Sequence, residues 1–278
     1  MRDFSVEDLT AEAVARMAGC QEKRLLHVME RLITHLHAFV REVEPSPEEW
    51  LAAIEFLTRT GQISDHQRQE YILLSDTLGV TMLVDALHQR KRPGATESSV
   101  LGPFYVEGAP ELPAGASIAQ RLGDPLTVRG RVLSTDGKPI AGALLDVWQN
   151  DANGLYDVQD PGQPKPHLRG RFRTDAEGRY SFQTIRPVSY PIPIDGPVGK
   201  LLRRLGRHPY RPAHVHFMVS AQGYRQVTTE LFDAADAYLE SDVVFGVKSS
   251  LITRFAPHGE RDGRPAFLLE YDFGLESQ

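Results

Sequence analysis

The hydrophobic period of this chain changes once, and that change limits its fold more than any other feature. Up to about residue 92, apolar side chains recur every three or four positions; from Leu126 onward they alternate. The first spacing lines one face of a helix and the second lines one face of a strand. Leu25, Met29, Leu32, Leu36, Phe39 and Val43 follow alternating steps of four and three, and Leu26, Ile33 and Val40 widen the seam. Ser5 with Asp8, Ser46 with Glu49 and Ser64 with Gln67 read as N-terminal capping pairs, and Pro47 suits a first helical position. The last helix is expected to run through Tyr71, Leu74, Leu78, Met82 and Leu83 to about His88. Three helices make a thin layer, so the long seam is expected to bury itself against a second copy, giving a homodimer through the N-terminal helices.

Residues 93–125 are rich in proline and glycine and read as an extended connector. Strands are expected at Leu126–Leu133, Ala143–Trp148, Phe172–Thr174, Tyr180–Ile185, Ala213–Ser220, Gln226–Phe232 and Ala266–Phe273, with turns at Asp136-Gly137 and Asp175–Gly178. The expected class is α+β overall, with an N-terminal helical domain (1–92), the connector (93–125) and a mainly antiparallel β-sandwich (126–278).

Composition narrows the function. The net charge of −6 argues against a general nucleic-acid binder, whose affinity needs a basic face. No apolar run approaches the roughly 20 residues that span a bilayer, and the first residues lack the apolar core of a secretory signal. The single cysteine, Cys20, excludes an internal disulfide and any cysteine-rich metal site, and fits a reducing cytoplasm.

Metal chemistry remains open to histidine and oxygen donors. His214 and His216 in Arg211-Pro-Ala-His-Val-His216 share one face if the segment is a strand. The alternative is two histidines on a solvated strand face. The nearby acids, Glu230, Asp233 and Asp236, make no compelling ligand set. Tyr156 follows the Trp148 strand in Asp151-Ala-Asn-Gly-Leu-Tyr156, and Tyr190 stands in Arg186-Pro-Val-Ser-Tyr190-Pro191. A trivalent cation favours phenolate strongly, so two phenolates and two imidazoles suit Fe(III). Taken singly, each tyrosine also reads as a packed, hydrogen-bonded ring.

Eight stretches in this order resemble the intradiol ring-cleaving dioxygenases: Leu101-Gly-Pro-Phe-Tyr105; Gly142-Ala143 to Asp146-Val-Trp-Gln149; Asp151-Ala-Asn-Gly-Leu-Tyr156; Gly178-Arg-Tyr180; Arg186-Pro187; Asp195-Gly-Pro197; Gly206-Arg-His208; and Arg211-Pro-Ala-His214-Val-His216. The resemblance implies a sandwich catalytic domain and one Fe(III) per subunit held by Tyr156, Tyr190, His214 and His216. It implies that Tyr190 leaves the metal when a diol binds and takes a substrate proton. It also implies that Arg211 stabilises negative charge on the reacting ring, its alternative being a salt bridge to Glu230. Small aromatic diols or triols and O2 are the implied partners, and a phospholipid between the helices of a dimer is a further one.

Three stretches are most similar to hydroxyquinol 1,2-dioxygenases: Ile72-Leu-Leu-Ser-Asp76, Tyr190-Pro-Ile-Pro-Ile-Asp-Gly-Pro-Val-Gly-Lys200 and Ser241-Asp-Val-Val-Phe-Gly-Val-Lys248. The resemblance places Leu73, Asp76, Val100, Leu101, Gly102, Pro103, Phe104, Ile192, Pro193, Arg211 and Val244 around the substrate. Asp76 would accept a hydrogen bond from a third ring hydroxyl, a pairing that discriminates against rings lacking it; its alternative role is a helix-end cap. Two residues depart from the family pattern. Glu230 stands where many relatives carry glutamine, and lowers the positive field around Arg211. Leu101 replaces a phenylalanine of some relatives and widens the pocket. Catechol or chlorocatechol cleavage to cis,cis-muconates is the runner-up, and a catalytically silent sandwich used for interactions is the reading from another class.

Overall fold

A computed structural model describes residues 5–65, 68–88 and 92–278. The chain divides into two compact units, the second beginning at Thr60.

In the first unit, α1 (Leu9–Ala15) packs on α2 (Lys23–Val43), where Arg41 Nη1 donates to Thr10 Oγ1 at 2.8 Å, and α3 (Pro47–Ile63) begins. The Ser46 box forms as expected: Ser46 N–H donates to Glu49 Oε2 at 2.8 Å and Glu49 N–H to Ser46 Oγ at 3.2 Å. The other two boxes do not start helices as read. Ser5 and Asp8 bond in the turn before α1, whose N-cap Asp8 makes no side-chain cap. Ser64 Oγ instead donates back to Thr60 O, and Gln67 lies outside the described residues. No residue of α2 is buried within its own chain, and Leu25, Leu32, Leu36, Phe39 and Val43 are exposed.

The expected last helix is two helices, α4 (Glu70–Thr77) and α5 (Val80–His88). Gly79, at φ +75°, breaks them: this left-handed backbone ends a helix and suits glycine. Residues 93–124 contain no helix or strand beyond isolated bridges at Glu111 and Ser117.

The second unit is dominated by two five-stranded sheets. The strands are β1 (Pro125–Ser134), β2 (Leu144–Trp148), β3 (Arg169–Arg173), β4 (Arg179–Ile185), β5 (Tyr190–Pro191), β6 (Tyr210–Arg211), β7 (His214–Ser220), β8 (Val227–Asp233), β9 (Ile252–Thr253), β10 (Ala256–Arg261), β11 (Arg264–Glu270) and β12 (Phe273–Leu275). One sheet runs β3-β2-β7-β8-β9; the other is built on β1, with β4 antiparallel to it and β11 and β12 parallel to it. The pairing is thus mainly antiparallel with parallel additions, the β8–β9 pair included. β5 and β6 form a separate two-stranded ribbon.

The expected strand Ala266–Phe273 is cut at Tyr271-Asp272, where the chain steps past Gly130 of β1. A side chain on Gly130 would collide with the Tyr271 carbonyl oxygen. A helix absent from the sequence reading, α6 (Pro197–Arg204), lies between the two strands of the ribbon in the chain, with proline in its first turn. The core lies between the sheets: Val215, Phe217 and Val219 of β7 and Leu145 and Val147 of β2 meet Val128, Phe182 and Phe273. Alternation therefore turns His214, His216 and Trp148 to the opposite face.

Candidate metal centre

On that opposite face, register assembles a row across three strands. His216 lies opposite Trp148 of β2 on one side and opposite Glu230 of β8 on the other. The Trp148 and His216 rings stack at 4.7 Å, 8° from parallel, and His216 Nδ1 lies 3.2 Å from Glu230 Oε1. His214, two residues away, has its Nδ1 2.7 Å from the Pro212 carbonyl oxygen. The Nδ1–H donates there, which leaves Nε2 as the lone-pair nitrogen turned to the cluster.

Two loops bring the tyrosines. Tyr190 begins β5 opposite Arg211 of β6. Tyr156 is fixed by stacking on Phe104 (4.5 Å) and by its N–H, which donates to Gln159 Oε1 at 3.0 Å. Tyr156 Oη lies 3.0 Å from His216 Nε2 and 3.4 Å from Tyr190 Oη, and the two Nε2 atoms are 3.1 Å apart. All four side chains are buried.

The donor set fits a cation. Burial, together with the nearby Arg211 charge, lowers the pKa of both histidines, so they are neutral donors at pH 7. Two neutral nitrogens sharing lone-pair directions at 3.1 Å repel unless a proton or cation lies between them. Burial first, then Tyr190, raises the Tyr156 phenol well above its ordinary pKa, and burial raises Tyr190. A bound trivalent ion reverses that effect.

Glu230 also lies in range: ligand-type atoms of His214, His216 and Glu230 come within 4.8 Å of one another. Its oxygens are otherwise committed. Arg211 Nη1 and Nη2 donate to Oε1 and Oε2 at 2.7 and 2.8 Å, and Ser99 Oγ lies 2.7 Å from Oε2. Glu230 Oε1 lies 3.2 Å from His216 Nδ1 and 3.5 Å from His214 Nε2. Glu230 therefore buttresses Arg211 and flanks the His216 ring, within reach of the same donor cluster. Burial pushes its carboxyl up, but Arg211 and His214 outweigh that and hold it below its ordinary pKa. The Arg211 salt bridge to Glu230 is real, and it anchors the guanidinium, whose Nη1 lies 3.3 Å from His214 Nε2. Asp242 accepts from Arg211 Nε at 3.2 Å and Nη2 at 3.3 Å. Gly246 must be small, since an added Cβ would lie 2.8 Å from Arg211 Nη2.

Beside the cluster, a cavity of about 300 Å³ is lined by Leu73, Pro103, Phe104 and Pro193, together with Arg68, Gln69, Glu70, Gln159 and Asp195. Gly102 backs onto the metal side, where an added Cβ would lie 3.4 Å from His216 Cε1. Val100, Ile192, Val244 and Asp76 are buried but not in the cavity lining, and Leu101 is 42% exposed. Asp76 feels the charges of Arg211, Glu230 and Asp242, and burial raises its carboxyl above the ordinary value. A larger depression of about 880 Å³ lies along Arg129, Arg131 and Tyr180. Its arginines are paired, Arg129 with Glu270 at 2.8 Å and Arg131 with Asp272 at 2.9 Å, and no metal-donor cluster accompanies them among the described residues.

The sequence reading missed Asp242, Ser99, Gly246 and the stacking role of Trp148. Asp242 stands inside a quoted motif, but its bonding to an arginine 31 residues away leaves no local signal.

Comparison with known proteins gives a consistent result. The family described as "Dioxygenase" matches residues 100–277, and "Catechol dioxygenase N terminus" matches residues 22–96. The chain is 54% identical over 255 residues to a hydroxyquinol 1,2-dioxygenase of Rhizobium sp. (strain MTP-10005), covering 91% of this chain and 86% of the relative. It is 47% identical to a 6-chlorohydroxyquinol 1,2-dioxygenase of Cupriavidus pinatubonensis, covering 99% of each chain. The crystal structure of hydroxyquinol 1,2-dioxygenase from Pseudomonas putida DLL-E4 superimposes with a TM-score of 0.92 at 47% identity, over 98% of this chain and 99% of that one.

Proposed function

Since the chain belongs to the intradiol ring-cleaving dioxygenases, we propose that it cleaves hydroxyquinol (benzene-1,2,4-triol) with O2 between the ortho-hydroxylated carbons. The product is 3-hydroxy-cis,cis-muconate, the enol form of maleylacetate. The observation carrying this reading is the buried convergence of Tyr156, Tyr190, His214 and His216 beside a cavity of ring size.

In this reading those four residues hold one non-haem Fe(III) per subunit. When bound, the ion supplies Lewis acidity and a template for the two ring oxygens. Tyr190 Oη takes a proton from one substrate hydroxyl. Arg211, fixed by Glu230 and Asp242, presents a preorganised positive charge to the ring as negative charge develops. Phe104, stacked on Tyr156, helps keep water off the phenolate. Leu73, Val100, Leu101, Gly102, Pro103, Phe104, Ile192, Pro193 and Val244 surround the ring, and Asp76 accepts from its third hydroxyl.

Oxygen uptake by the iron-loaded protein tests the assignment through kcat/KM for hydroxyquinol and catechol. The expected preference for the triol falls by about 10- to 100-fold in Asp76→Ala, the loss of one buried hydrogen bond. Equal turnover of catechol would sink the triol assignment. A freshly purified protein without iron and without oxygen uptake would instead support a silent interaction module.

The assembly completes the proposal. The exposed α2 seam pairs with that of a second copy, and its apolar surface accommodates the acyl chains of a phospholipid. Sedimentation at micromolar concentration tests the dimer, and a monomer rejects it. The same proposal places the enzyme in the cytoplasm. No helix among the described residues is long and apolar enough to cross a membrane.

A further inference from the structure

The cavity is apolar along Leu73, Pro103, Phe104 and Pro193, yet three charged residues and two glutamines complete its lining. Arg68, two residues before α4, donates from Nη1 and Nη2 to the two Asp195 oxygens at 2.8 and 3.0 Å. It also donates from Nε and Nη2 to Glu70 Oε2 at 3.1 and 3.0 Å. Glu70 is buried, and its other oxygen, Oε1, accepts from the Val198 N–H at 3.1 Å in the first turn of α6. The set thus runs from an exposed carboxylate, through a guanidinium, to a buried carboxylate that ties down a helix.

We infer that Arg68, Glu70 and Asp195 form an ionic clasp that positions the 192–196 wall of the cavity against α4 and so governs how tightly a ring is held. This rests on the dioxygenase reading of the cavity. The wall lines the cavity through Pro193 and Asp195, and α4 through Glu70 and Leu73. Residues 192–196 contain no helix or strand, so their placement depends on such anchors. The anchor is closely fitted: a Cβ on Gly196 would collide with Glu70 Oε1 and lie 2.7 Å from Arg68 Nη2.

The two arms differ in strength. The Asp195 side chain is 69% exposed, and such pairs are screened and individually weak. The Glu70 side chain has no exposure, so removing its partner strands a buried carboxylate. Among the described residues, none of the three bonds to Tyr156, Tyr190, His214 or His216. They are positioning residues, and their loss raises the ordering cost of binding without altering the reacting groups.

The test uses the iron-loaded full chain with Asp195→Asn, Arg68→Gln and the conservative Asp195→Glu. The first two are expected to raise KM for hydroxyquinol about three- to tenfold with kcat within about twofold, and Asp195→Glu to restore most of it. Added salt raises KM in the wild type but not in Asp195→Asn; the triol is uncharged at neutral pH, so this effect reads the clasp rather than substrate steering. Backbone amides of residues 192–199 exchange faster in Asp195→Asn, while the visible absorption of the metal centre is unchanged. An unchanged KM or an unchanged exchange pattern in Asp195→Asn overturns the proposal. If the wild type fails to cleave the triol, the functional reading falls, and the exchange measurement alone decides the clasp.

Discussion

The two sides of the active site are built by different means. The histidines and Glu230 stand on adjacent strands, placed by alternation and by a continuous β2–β7–β8 register. The cavity wall joins the start of α4, the connector near Phe104 and the 192–196 loop, with Arg68 and Asp195, 127 residues apart, tied by an ion pair. Sheet register is enforced by many backbone bonds and a buried face, whereas the wall depends on a few contacts. The first kind of construction suits fixed chemistry, and the second suits adjustable selectivity. Damage to the sheet side should therefore remove metal and turnover together, and damage to the wall should mainly change binding.

The largest break in that comparison is a proposed ligand. His216→Ala is expected to lower iron content to a small fraction of one per subunit and turnover by more than about 1,000-fold, measured by metal analysis and oxygen uptake. Next comes the buttress. Glu230→Ala leaves Arg211 buried with Asp242 as its one carboxylate partner among the described residues, and is expected to cost about 3–5 kcal/mol of stability by denaturant titration. Gly79→Ala should cost about 1–2 kcal/mol, because its φ of +75° is a left-handed conformation.

Asp76 sharpens the comparison through pH. Its folded-state carboxyl is raised by burial, so the folded chain holds a proton that the unfolded chain, with an ordinary pKa near 3.9, has released. Stability therefore declines as pH rises from about 4 through the folded-state value. Asp76→Asn should remove that part of the decline, which unfolding curves across that range would reveal. At the small end, Arg129→Ala on the outer sheet breaks an exposed pair with Glu270 and should change stability by under about 1 kcal/mol with activity intact.

This division also decided what the sequence could reveal. The H-x-H face, the Ser46 box and most strands follow from local period and capping, which act within a few residues. The break at Gly79 and the start of α6 at Pro197 carried local signals that were not used. The tyrosines proposed as ligands were accessible only through family resemblance, because Tyr156 lies in a loop and Tyr190 in a two-residue strand, each with neighbours in space that are far off in sequence. Glu230 could not be assigned from its own surroundings: its place beside His216 exists only once β7 has chosen β8 as its neighbour. The same holds for Arg68 and Asp195, 127 residues apart.

The strand that carries both histidines also carries Val215 and Phe217 into the core. A slip of one residue in β7 would exchange the two sets, burying imidazoles among aromatic rings and offering the metal only hydrocarbon. On the proposed ligand set, the fraction of protein that takes up iron would count the chains whose sheet has zipped in step.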